Sequence, residues 1–97
     1  MKNEHQVTTV YTIIHAASNT EDGCFAASRA RGSFLSLTAA RQELEKQIAA
    51  EKKLVPSDYD CEEQTGDRWI AYQDGFAAAA YSKLEIVPTT LDLMRIA

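Results

Sequence analysis

Alternating and helical spacings of apolar residues divide this chain into a strand-forming start, one helix and a strand-forming second half. From Val7 to Ala16 the chain is rich in β-branched and aromatic residues. On an extended backbone Val7, Thr9, Tyr11, Ile13 and His15 share one face, and Val10, Thr12, Ile14 and Ala16 share the other. Neither face is strongly polar, which predicts a central strand covered on both sides or covered on one side by a partner. Ser18 to Gly23 is a turn by composition. A second strand is expected within Cys24 to Leu35, built on Phe25, Ala27, Phe34 and Leu35. Arg29, Arg31, Gly32 and Ser33 interrupt it and predict a bulge or an exposed edge.

The spacing then changes. Leu37, Ala40, Leu44, Ile48 and the methylenes of Glu51 recur at helical intervals, with Gln42, Glu43, Glu45, Lys46, Lys52 and Lys53 on the other sides. The Ser36 hydroxyl is placed to cap the first turn, and Pro56 lies where the helix must already have stopped. Beyond it, Tyr59 to Gln64 reads as a short strand or loop, and Thr65-Gly66-Asp67 as a turn.

Asp74-Gly75 separates Trp69-Ile70-Ala71-Tyr72 from an apolar run, Phe76 to Val87. The pair tolerates the positive φ of a type I′ turn, so these segments are expected to form a hairpin. A two-residue turn there sets Tyr72 opposite Ala77, Ile70 opposite Ala79 and Trp69 opposite Ala80. A helix competes, because Trp69, Tyr72, Phe76, Ala80 and Leu84 also fit a period of 3.6. Gly75 inside such a helix costs about 1 kcal/mol, which favours the hairpin. Pro88 is expected to end the last strand, with Thr89 and Thr90 capping a short terminal turn or helix that carries Leu91, Leu93, Met94 and Ile96. The expected fold is α+β: a small antiparallel sheet of about four strands in the order β-β-α-β-β, with one amphipathic helix on one face, all in one domain spanning residues 1–97.

Composition sharpens the reading. Hydrophobic residues make up 45% of the 97, but much of that is alanine, which buries little area. Large core residues are few, so self-association is a route to the missing burial. The net charge of −4 disfavours direct binding to nucleic acid, which needs a basic footprint. The polar start and the lack of a membrane-length apolar run point to a cytoplasmic protein without membrane contact. Cys24 and Cys61 are far apart and are read as reduced thiols.

The candidate chemistry is sparse. Asp58, Asp60, Glu62, Glu63 and Asp67 form the densest acidic run. It reads first as a solvated loop, and otherwise as a partner-binding surface that imitates spaced phosphates. Arg29 and Arg31, two apart on a strand, face the same way and are placed to hold an anion, although edge protection explains them too. A zinc site from His15, Cys24 and Cys61, or a cysteine nucleophile beside His15, has no supporting spacing. Trp69, Tyr72, Phe76 and Tyr81 are expected in the core, against Leu44 and Ile48, rather than as a stacking surface. Leu91, Leu93 and Met94 are candidates for contact with another chain.

No catalytic pair, cofactor loop or metal spacing appears. The expectation is therefore a non-catalytic protein–protein interaction module, homodimeric or bound to another protein, without cofactor or metal. Two alternatives remain open. One is an inhibitor carried by a phage or mobile element, of the anti-CRISPR kind, acting through residues 58–67. The other is a small enzyme or ligand carrier using His15, Arg29 and Arg31.

Overall fold

The computed structural model describes residues 5–19, 26–57, 59–73 and 80–94, with the side chains at 5, 6, 19, 26 and 92–94 excepted. Six elements follow one another: β1 (His5–Asn19), β2 (Ala26–Phe34), α1 (Leu37–Lys52), β3 (Cys61–Thr65), β4 (Arg68–Tyr72) and β5 (Ala80–Met94). The strands form one antiparallel sheet in the order β2-β1-β5-β4-β3. The α+β class holds. β1 lies between β2 and β5 from Tyr11 onward but is an outer strand before it, and cover on both faces is not found among the described residues. There are five strands, however, not four, because the segment left open between strand and loop forms β3.

The helix forms where its spacing predicts. The Ser36 side chain accepts from the Ala39 N–H at 3.2 Å, and Ala40, Leu44, Ile48 and Glu51 are buried along one stripe. This stripe lies on the sheet face that carries Ile13, Trp69, Ala71, Leu84 and Ile86, and together they make the core. Trp69 is fully buried there beside Leu44 and Ile48. The opposite face of the sheet has no layer over it among the described residues.

Two expectations about β5 are overturned. The register pairs Tyr72 with Tyr81, Ile70 with Lys83 and Trp69 with Leu84, four residues further along than a two-residue turn at Asp74-Gly75 allows. Residues 74–79 lie outside the described residues; the antiparallel pairing expected of the hairpin is present, in a different register. The observed register sets Leu84, not Ala80, beside Trp69, and so buries a large side chain where the expected one offered a methyl group. The two-residue turn instead occurs at Gly66-Asp67, where Thr65 pairs with Arg68 and Gly66 has φ 56°.

Nor does β5 stop at Pro88. It runs on to Met94, so the expected terminal turn holding Leu91, Leu93 and Met94 is strand, while Ile96 lies outside the described residues. The ladder explains why proline is tolerated. Ile86 donates its N–H to the Asp67 carbonyl at 2.8 Å, on the β4 side. Pro88, two residues on, turns its nitrogen the same way, past the end of β4, where no bond is forfeited.

β1 and β5 pair over all 15 residues of each, from His5↔Met94 to Asn19↔Ala80. β2 reaches only to Tyr11, and β4 only to Glu85. Residues 5–10 and 88–94 therefore continue as a two-stranded arm with no third strand beside it among the described residues, and the molecule measures 61 × 28 × 18 Å.

Candidate functional site

Alternation along β1 sends His15 to the helix side, in line with Ile13. Its cross-strand neighbours are Arg29 on β2 and Leu84 on β5. The bulge expected in β2 is present: between Thr12↔Ser33 and Ile14↔Ala30, Arg31 and Gly32 oppose the single residue Ile13. Gly32 has φ 131°, a value that side chains disfavour. The extra residue resets the alternation. Ala27 and Arg29 before it pair with residues of the helix-side row, and so does Phe34 after it, despite the change from odd to even.

Four side chains from four elements close a ring at this point. Arg31 Nη2 donates to His15 Nδ1 at 3.1 Å, and Arg31 Nη1 donates to Glu51 Oε1 at 3.4 Å. His15 Nε2 and Ser82 Oγ are 3.0 Å apart, and Ser82 donates to Glu51 Oε2 at 3.3 Å. Arginine only donates, so Nδ1 must accept and the neutral ring carries its proton on Nε2. That proton points to Ser82, whose own proton goes on to Glu51. The side chains of His15 and Glu51 are 15% and 11% exposed, and that of Arg31 is 33% exposed. Burial, helped by the positive charge of Arg31 and, less, of Arg29, pushes the His15 pKa below its ordinary 6.5; Glu51 opposes them.

The ring has the members of a nucleophilic triad in the wrong order. A base for Ser82 needs a bare Nε2, and Arg31 holds the proton on that nitrogen. What the geometry does is tie β2, β1, β5 and the last turn of α1 together. His15 and Arg31, proposed together from the sequence, do meet. Glu51 and Ser82 were missed as polar partners. A carboxylate that continues an apolar helical stripe was the available signal: buried, it requires donors. Ser82 gave none.

The acidic run is divided among several partners. Glu62 lies beside Lys52 at 3.0 Å and accepts from the Trp69 indole N–H at 2.6 Å; these contacts, the indole bond first, hold its carboxyl below the ordinary range. Asp67 pairs with Arg41 at 2.7 Å. Glu63 accepts from the Tyr72 hydroxyl at 2.8 Å on the other face. Asp60 is exposed, and Asp58 lies outside the described residues. Cys24 lies outside them too. Cys61 pairs with Tyr72 on the uncovered face, so it is turned away from His15. Among the described residues no three metal-ligating side chains come together.

The uncovered face carries Tyr72 and Tyr81 as a cross-strand pair, correcting their expected place in the core. With Arg68, Ile70 and Lys83 they line an open groove of about 360 Å³. Phe76 lies outside the described residues. Along the arm Val7 is 65% exposed and Leu91 42% exposed. Leu93 and Met94 belong to the arm by register.

Comparison with known protein families, characterised proteins and solved structures finds no match. No helix among the described residues is long and apolar enough to cross a membrane.

Proposed function

We propose that this protein is a non-catalytic interaction module that associates with a second copy of itself through its sheet. The arm formed by residues 5–10 and 88–94 carries the reading. A two-stranded ribbon is at best marginally stable alone in water, and this one extends beyond every other element of the fold. It carries exposed Val7 and Leu91, and among the described residues no strand lies along either of its edges. A chain of this length folded compactly has a radius of gyration of roughly 12–13 Å, whereas this chain has 17.1 Å. A partner along the ribbon supplies the burial that the small core lacks.

Light scattering across a concentration series tests the reading. A mass that rises to twice that of the monomer supports it. A monomeric mass at every concentration sinks it. The acidic-mimic alternative gains no comparable support, because Glu62 and Asp67 already face Lys52 and Arg41.

A further inference from the structure

The described sheet has four free edges, and three are protected. The outer edge of β2 has a bulge and two arginines. The outer edge of β3 is five residues long and carries Glu62 and Glu63. The arm edge of β5 has Pro88 turned outward, and Asp92. These are the devices that keep strand edges from pairing. The arm edge of β1 has none of them. Its core is Val7-Thr8-Thr9-Val10: β-branched, uncharged and free of proline and bulge.

The ladder fixes which groups this edge presents. The Ile86 N–H points to β4, so that of Val87 points to β1, where its partner is Thr12. Even-numbered residues of β1 thus bond to β5, and odd-numbered ones turn outward. Beyond the end of β2, the N–H and C=O of Val7 and Thr9 face the open edge.

We infer that this edge pairs with the same edge of a second copy, antiparallel, about a two-fold axis at Thr8. The inference rests on the self-association proposed above and names its contact. An antiparallel ladder between identical strands is symmetric only when a residue faces its own counterpart. Centred on Thr8, the register pairs residues 6–10; His5 falls level with Tyr11 of the other copy, whose outer side β2 already holds, so the two chains part at that point. Val7 and Thr9 then exchange both bonds with Thr9 and Val7 of the other copy, giving four bonds in all. The two Thr8 side chains meet as a close, non-hydrogen-bonded pair. The sheets of the two copies join along their arms.

Three variants test this contact. Thr8→Cys, in a background with Cys24 and Cys61 changed to Ser, is expected to form a covalent dimer under mild oxidation. Thr9→Pro removes one outward N–H per copy while sparing the β5 ladder, and should weaken association about tenfold or more. Ile70→Lys places a charge in the uncovered groove and should leave association unchanged. If the protein dimerises, Thr8→Cys fails to cross-link and Ile70→Lys dissociates it, the edge pairing is wrong and self-association stands. If the parent chain is monomeric throughout, both fall. If Thr9→Pro does not fold, the cross-link alone decides.

Discussion

Arg31 donates to Nδ1 of His15, so a second proton on that ring must break the bond and place a cation beside Arg31 and Arg29. Burial and these charges lower the folded-state pKa below 6.5. Below pH 6.5 the unfolded chain therefore takes up the proton before the folded one does. The contribution of His15 to stability is fully present above that pH, falls as pH drops below it, and levels off under the folded pKa. Urea denaturation between about pH 5 and pH 8 should show this loss, and His15→Gln should remove the His15 component. An unchanged slope in the variant would assign the loss to other groups. On the other face, hydrogen bonding to the Glu63 carboxylate, then its negative charge, raises the Tyr72 pKa to about 12. Ultraviolet titration of the four tyrosines should find one phenol that ionises late. Glu63→Gln is expected to return it toward 10, the ordinary value.

Within β2, the bulge at Arg31 and Gly32 decides which residues face the helix. Gly32 has φ 131°, and a Cβ there would lie 3.3 Å from the Phe34 ring. Gly32→Ala is therefore expected to cost about 1–3 kcal/mol, as strain of this kind does, measured by chemical denaturation. Arg29 and Arg31 announced this irregularity in the sequence. The helix was equally legible, since Ser36, Leu44 and Ile48 are local signals that tertiary contacts only reinforce. β5 was not. Asp74-Gly75 is a sound hairpin signal, but the register answers to distant demands: Leu84 against Trp69 and Ile86 against Ile13. Pro88 reads as a stop only if its nitrogen is owed a bond, and the end of β4 determines that. The ring at His15 was half legible for the same reason. Arg31 and His15 are visible as chemistry, while Glu51 reads as apolar spacing and Ser82 sits unmarked after a run of alanines.

At the scale of the molecule, the charge and the arm make opposing contributions to association. Each copy carries a net charge of −4, so two copies repel. The edge proposed to join them, Val7 to Val10, has no charged side chain whose attraction salt could weaken. Raising the salt from about 0.01 M to about 0.15 M shortens the Debye length from roughly 30 Å to roughly 8 Å, which screens the repulsion and leaves backbone bonds nearly untouched. Association should accordingly tighten as salt rises, as followed by sedimentation velocity at fixed protein concentration. A contact built from the acidic residues of β3 against Arg68 and Lys83 of the uncovered face behaves in the opposite sense, because screening removes its attraction. Dissociation on adding salt would therefore move the contact from the arm to the charged surface around β3 and β4.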